Sequence, residues 1–326
     1  MNLKKIPRLL LTGTVLLLAS ATSAYATDSF PSQPVRIIVG SAPGGLLDIT
    51  TRVVAQRMGE VLGQSVIVEN RPGAGTVIAT RGVKAAAADG YTLISATTSI
   101  AMQPAVRLNP GYDLLKDFTG IGPMTRAPLL MLARPNASMD SLADFMSLAK
   151  AQPGKLTYAS SGIGGSIHLG TASFAQAAGL NLSHIPYKAN STAWPDVIGG
   201  RVDTIFEPYG SAAPMLQDGR LKAIGITSTK RLKVLPDVPT MAESGVPSYN
   251  YYIWLGMFAP AGTPPDVVQR LSKALQETMA TPELQKRFAD EGSESMLMSA
   301  DEFNQFIKQE TEAVSKLVTD LGVPKQ

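Results

Sequence analysis

The segment from Pro34 to Asp48 constrains this chain most, because a β-branched run leads through a small-residue turn directly into an amphipathic helical pattern that ends near Gly63. The first amide groups of a helix have no intrahelical partner, and the helix dipole adds partial positive charge there. Gly44 and Gly45 place no Cβ between those N–H groups and a ligand. The pattern therefore favours an anion site, although turn geometry or packing alone also accounts for such glycines.

The next segments predict a βαβαβ unit. A strand at residues 65–69 is followed by a glycine-containing turn, a helix from about Thr76 and a third strand at residues 91–96. Parallel sheets of this kind bind ligands outside the carboxyl ends of their strands, where residues 41–46 and 97–99 lie.

The same device of strand, small polar turn and helix recurs between Gly154 and Leu169, which makes two candidate anion sites. Residues 109–123 are expected to be irregular, and a strand is expected from Arg126 to Ala133. The C-terminal third predicts helices at 265–279, 282–290 and 300–321, the last beginning with a capping cluster of Ser299, Asp301 and Glu302.

Nine segments in order resemble the Bug family, the extracytoplasmic solute receptors of tripartite tricarboxylate transporters. They lie at residues 34–39, 43–48, 68–75, 89–93, 161–169, 185–188, 199–203, 235–240 and 259–264. The resemblance implies an α/β chain with the two-domain type II periplasmic-binding-protein fold. It also implies a carboxylate held between two loops of a closing cleft, without catalysis, and delivery to membrane permease subunits.

On this basis domain 1 is expected to comprise residues 27–126 and 252–326, and domain 2 residues 127–251. Residues 1–26 carry three basic residues, an apolar run and an Ala-Tyr-Ala site, as in a cleaved signal peptide. Removing these three from 29 basic residues leaves 26, which equals the 26 acidic ones, so no nucleic-acid surface is indicated. The absence of cysteine excludes disulfides, thiol catalysis and a lipid anchor. We expect a soluble periplasmic monomer.

Enzyme alternatives find little support in the second turn. Gly164–His168 lacks the last glycine of a nucleophile elbow, and Ser166 and His168 lie two residues apart on one helix, pointing in different directions. Ile167 stands where a dinucleotide-binding turn needs its third glycine. Two histidines and no cysteine predict no transition-metal site and no cofactor, while a carboxylate-based cation site stays open. Sensor input to a membrane kinase and, less favoured, a secreted hydrolase remain alternatives to import.

The candidate ligand-binding residues lie on the turns at the strand ends. They are Ser41, Pro43, Gly44, Gly45, Leu46, Asp48, Thr98, Ser160, Ser161, Gly162, Gly164, Ser166, Tyr187 and Glu207. Asp48 could instead complement the helix dipole, and Trp194 and Trp254 are interpreted as packing residues. Leu46 and Glu207 depart from the family pattern, and since a second ligand carboxylate would be opposed by Glu207, we expect a carboxylate with an apolar or aromatic body rather than citrate.

Overall fold

The computed structural model describes residues 30–135 and 138–326. The predicted signal peptide, residues 1–26, lies outside the described residues. The strands are β1 Val35–Val39, β2 Val66–Asn70, β3 Thr92–Thr97, β4 Phe118–Pro128, β5 Leu130–Ala133, β6 Thr157–Ser160, β7 Ser183–Pro186, β8 Thr204–Glu207, β9 Lys222–Ile226, β10 Tyr252–Pro260 and β11 Glu294–Ser295. The helices are α1 Leu46–Leu62, α2 Val77–Lys84, α3 Ser99–Val106, α4 Leu114–Asp117, α5 Leu142–Ala151, α6 Ser166–Ala177, α7 Trp194–Ile198, α8 Tyr209–Gln217, α9 Pro265–Met279, α10 Pro282–Asp290 and α11 Ala300–Asp320.

The strands form two sheets. The six-stranded sheet has the order β11-β4-β10-β3-β1-β2, and the five-stranded sheet has the order β7-β6-β8-β5-β9. β1 pairs in parallel with both β2 and β3, which confirms the predicted βαβαβ unit, although β2 and β3 each begin one residue later than expected. β6 likewise pairs in parallel with β7 and β8. The predicted mixed α/β architecture with two lobes is confirmed.

The chain passes from one sheet to the other twice. β4 belongs to the six-stranded sheet and β5, which begins two residues after β4 ends, to the five-stranded one. The return lies between β9 and β10. The predicted domain limits at residues 126/127 and 251/252 fall beside these crossings and stay a prediction.

The expectation of an irregular stretch up to residue 123 is wrong, because β4 begins at Phe118 and pairs antiparallel with β10. Gly120 and Gly122 are unfavourable in a strand by local propensity, but they make room for neighbours: a Cβ at these positions would lie 2.8 Å from Phe303 and 3.0 Å from Leu275. Pro123, which lacks an N–H group, is accommodated beside a register shift of the β4–β10 pair.

The C-terminal helices pack on the six-stranded sheet. α9 and α11 both contact β4, and α9 also contacts α1. Leu271 and Phe303, one from each helix, are fully buried. The predicted capping of α11 is confirmed, since Ser299 and Glu302 accept each other's backbone N–H groups. No helix within the described ranges has the length and apolarity required to cross a membrane.

Candidate functional site

A cavity of about 490 Å³ lies between the loops of the two sheets. Its walls come from both lobes, and nearly every wall segment follows the carboxyl end of a strand, as expected for open α/β sheets. The lining residues are 40–47 after β1, 72–76 after β2, Thr97 and Ser99 at β3, Ser161, Ser166 and Ile167 after β6, 188–191 and Trp194 after β7, Glu207, Pro208 and Ser211 at the end of β8, and Ile253 in β10.

The first glycine turn, Ser41–Gly45, delivers the start of α1 to this cavity. Gly45 is the N-cap residue and contributes no side-chain cap, and the first helical hydrogen bond runs from Ile49 N to Gly45 O at 3.0 Å. The amide groups that precede Ile49 are therefore not used by the helix. Gly44 has φ +83°, a conformation that favours glycine.

Asp48 holds this turn from behind. Its carboxylate accepts hydrogen bonds from Gly44 N–H, Arg52 Nε and Asn70 Nδ2, each at 2.9 Å. Burial alone would raise the pKa of Asp48, but these three donors outweigh it and hold the pKa below its usual value. Asn70 Nδ2 also donates to Ser41 O at 3.1 Å. Asp48 therefore positions the turn instead of lining the cavity.

The second glycine turn, Ser161–Gly165, repeats the arrangement at the start of α6. Gly165 is the N-cap residue without a side-chain cap, and the first helical hydrogen bond runs from Leu169 N to Gly165 O at 3.0 Å. Gly164, at φ +74°, donates its N–H to His168 Nδ1 at 3.0 Å. His168 therefore stabilises the second glycine turn by accepting a backbone N–H group, as Asp48 does in the first.

His168 belongs to a stack of rings behind the second turn. Its ring centroid lies 4.1 Å from that of His184, which in turn lies 4.9 Å from that of Tyr158. Burial lowers the pKa of both histidines to about 4. His184 Nε2 shares a 2.6 Å hydrogen bond with the fully buried Ser160. Because His168 Nδ1 already accepts the Gly164 N–H, that nitrogen does not serve as a base for Ser166.

Several buried polar side-chain atoms around the cavity have no hydrogen-bond partner among the described residues. Those that belong to cavity-lining residues are Ser41 Oγ, Thr76 Oγ1, Asn190 Oδ1 and Trp194 Nε1. An unpaired buried polar atom costs free energy, so four such atoms on residues that line one cavity indicate that a polar ligand or water completes their hydrogen bonding. They come from both lobes.

The loop that follows β2 in the first lobe has a strained backbone. Residues 73–76 all have positive φ values, including the non-glycine residues Ala74 at +49° and Thr76 at +79°. Such conformations cost of order 1–3 kcal/mol for each non-glycine residue and concentrate at binding sites. Arg107 donates from its guanidinium to Ala74 O at 3.2 Å, which helps to hold the loop.

The structure brings some predicted site residues together in the cavity and places others behind it. Those that line it are Ser41, Pro43, Gly44, Gly45, Leu46, Ser161, Ser166 and Glu207. Those that do not are Asp48, Thr98, Ser160, Gly162, Gly164 and Tyr187. The last group supports neighbouring structure: Thr98 Oγ1 accepts the Trp254 N–H, for example, and the Tyr187 hydroxyl donates to Asp196 at 2.6 Å.

Sequence reasoning missed the loop at residues 72–76 and the segment Lys188–Ser191, both of which follow parallel strands. The strand-end rule applied to β1 and β3 would have found them. Trp194, interpreted as a packing residue, lines the cavity, whereas Trp254 is buried, as interpreted, and donates to Glu310 at 2.8 Å. Residues 30–135 and 138–326 contain no group of three or more acidic, histidine or cysteine side chains placed to hold a metal ion.

Residues 50–323 match the sequence family described as the tripartite tricarboxylate transporter family receptor. The chain belongs to this family. Its relatives include the protein BugT of Bordetella pertussis, 32% identical over 324 residues that cover 99% of each chain. A protein from Pseudomonas sp. strain P51 is 33% identical over 302 residues, covering 92% of this chain and 90% of the relative. The predicted membership of the Bug family is confirmed.

Solved structures of such receptors share the fold. The periplasmic binding protein BugD is 34% identical with a TM-score of 0.84, covering 91% of this chain and all of BugD. A Rhodopseudomonas palustris protein solved with adipate is 29% identical with a TM-score of 0.86, and covers 91% of this chain and all of its own. MatC of the same species, solved with malate, is 29% identical with a TM-score of 0.81, over 89% of this chain and all of MatC. This chain is therefore a solute-binding receptor of a tripartite transporter.

Proposed function

We propose that this receptor binds a small organic carboxylate in the cavity between its lobes and passes it from the periplasm to the membrane permease subunits of its transporter. The observation that carries the proposal is the pair of uncapped helix starts, α1 and α6, presented by matching glycine turns to one cavity. Helix starts attract anions through free N–H groups and the dipole. The two Rhodopseudomonas palustris receptors were solved with adipate and with malate, and both of these ligands are small organic carboxylates.

Backbone amides can provide the affinity without an arginine clamp. A hydrogen bond to a charged group contributes roughly 1.5–3 kcal/mol. Three or four of them, with burial of an apolar ligand body, reach the ~8 kcal/mol of a micromolar complex after ordering costs. Leu46 offers apolar contact: it lines the cavity and packs against α8 of the other lobe, where a Cβ on Gly210 would lie 3.4 Å from it.

Closure of the two lobes follows from the same geometry. Only a ligand that contacts both helix starts stabilises a closed state more than an open one. The two crossings between the sheets are the natural hinge. We further propose that the receptor acts as a monomer, performs no catalysis and binds no nucleic acid.

The test is to obstruct the first glycine turn without straining it. Gly45 has φ −82°, and a Cβ there would meet no atom closer than Ala42 O at 3.9 Å, so Gly45→Val fits the backbone while adding bulk at the cavity wall. Gly164→Val is a poor probe, since its Cβ would lie 2.3 Å from Val106 at φ +74°. A thermal-shift screen of organic acids would first select the best ligand.

Calorimetry with that acid should then show at least about tenfold weaker binding by Gly45→Val, which is about 1.4 kcal/mol. Gly82→Val is the matched control, because Gly82 is exposed on α2 and does not line the cavity. The control should bind as the unmodified protein does. Equal affinity of both variants, or a screen in which no organic acid binds, would refute the proposal.

A further inference from the structure

Glu207 is a buried acid at the cavity wall. It ends β8, its side chain is 3% exposed, and it lines the cavity beside Pro208. Leu130 lies opposite it in the neighbouring strand, and no cation among the described residues influences its ionisation. A buried carboxylate without a cationic partner is costly, and a ligand carboxylate bound nearby would add repulsion.

The polar groups around Glu207 are uncharged. The side chains of Asn190 and Trp194 approach it and favour its ionised form, but their effect is smaller than that of burial. Trp194 Nε1 has no hydrogen-bond partner among the described residues. Burial raises the pKa of Glu207 to about 8. Among the cavity-lining residues, the other ionisable side chain is Lys188, which is exposed.

A neutral carboxyl group both donates and accepts hydrogen bonds, whereas an ionised one only accepts them. The Glu207 O–H and the Trp194 indole N–H are then two donors on the same wall of the second lobe. The helix starts supply donors elsewhere in the cavity, and Leu46 and Ile253 supply apolar wall. A ligand with acceptors at both ends and an apolar body between them matches this distribution.

We propose that Glu207 is a specificity-determining residue which, with Trp194, donates hydrogen bonds to a second acceptor group of the ligand. The inference rests on the proposed function, because it assumes that the first carboxylate occupies the helix starts. It revises the expectation that Glu207 opposes a second carboxylate: that expectation assumed a negative charge. A ligand whose far end is an ammonium group meets the Trp194 donor and an acid that carries no compensating negative charge, and binds less tightly.

The test uses two matched series of probes that differ only at the far end. The six-carbon series is adipate, hexanoate and 6-aminohexanoate; the four-carbon series is succinate, butyrate and 4-aminobutyrate. In calorimetry at pH 6.5, the dicarboxylate of at least one series should bind about tenfold more tightly than its monocarboxylate and its amino acid. Glu207→Leu should abolish this preference, whereas Glu207→Gln, whose amide still donates, should keep most of it.

The proton on Glu207 gives a second readout. In the unmodified protein the ratio of dicarboxylate to monocarboxylate affinity should fall as the pH rises from 6.5 to 9, whereas in Glu207→Gln it should stay constant. Circular dichroism and Tm measurements would establish that both variants are folded.

Each contrary outcome has a distinct meaning. Equal affinity for dicarboxylate and monocarboxylate would overturn the role of Glu207 and leave the proposed carboxylate receptor intact. Tightest binding of an amino acid, lost in Glu207→Gln, would show that Glu207 acts as an ionised acceptor, and would also overturn the inference. If none of the six probes binds, the inference fails; if the wider organic-acid screen is also negative, the proposed function fails with it.

Discussion

The ligand-free protein should lose stability between pH 6.5 and 8 because of Glu207. The pKa of this residue is about 8 in the folded protein against 4.5 for an unperturbed glutamate. Between those values the folded state keeps a proton that the unfolded chain has released, so the free energy of unfolding falls as the pH rises. The slope is about 1.4 kcal/mol per pH unit for one proton, which amounts to about 2 kcal/mol over this interval.

Below pH 6.5 the two buried histidines act in the opposite sense. Their pKa values of about 4 in the folded protein lie below the 6.5 of an unperturbed histidine, so the unfolded chain binds more protons than the folded protein as the pH falls. Stability contributed by neutral His168 and His184 is complete above pH 6.5 and is lost towards pH 4. Two histidines outweigh one glutamate in this range, so these three residues together favour greatest stability near pH 6.5.

Urea denaturation at intervals between pH 5 and 8 would measure the free energy of unfolding on both sides of pH 6.5, the acid limb below it and the alkaline limb above it. Glu207→Gln should flatten the limb above pH 6.5 and leave the acid limb in place. Glu283→Gln, an exposed glutamate in the first turn of α10, is the control and should retain the shape of the unmodified protein. An alkaline limb of the same slope in Glu207→Gln would refute the assignment of that proton to Glu207.

Three further predictions concern processing, packing and closure. The mature protein should be recovered from the periplasm beginning at Thr27; N-terminal sequencing that finds Met1 would contradict this. Gly256→Ala should lower the free energy of unfolding by about 1–3 kcal/mol, since its Cβ would lie 2.4 Å from Phe303; an unchanged denaturation midpoint would show that the site relaxes freely. Small-angle scattering should give a smaller radius of gyration when a calorimetrically verified acid is bound, and an unchanged radius would argue against closure.

Local patterns were sufficient for much of the secondary structure. The helices at residues 265–279 and 282–290 were predicted with the bounds that the structure shows, because proline at the first helical position and an amphipathic repeat specify a helix within its own sequence. The parallel β1–β2–β3 unit was equally readable, since strand, turn and helix signals alternate within a short segment.

β4 was missed for the opposite reason. Gly120 and Gly122 are unfavourable in a strand by local propensity, and only the packing of Phe303 and Leu275, more than 150 residues later, makes them necessary. Propensity cannot report a contact with a distant part of the chain. Residues 118–128 are specified as a strand only when the distant helices pack on the assembled sheet.

For the site, the sequence by itself determined the two glycine turns, because a helix start and its glycines are contiguous. Only the tertiary structure decided what each side chain does there. Asp48 turns away from the cavity to hold Gly44, while Trp194 and Glu207, separated in sequence, meet at one wall. Whether a carboxyl group is charged depends on the burial that distant segments impose. Ionisation is thus a property of the folded surroundings, and sequence position alone does not contain it.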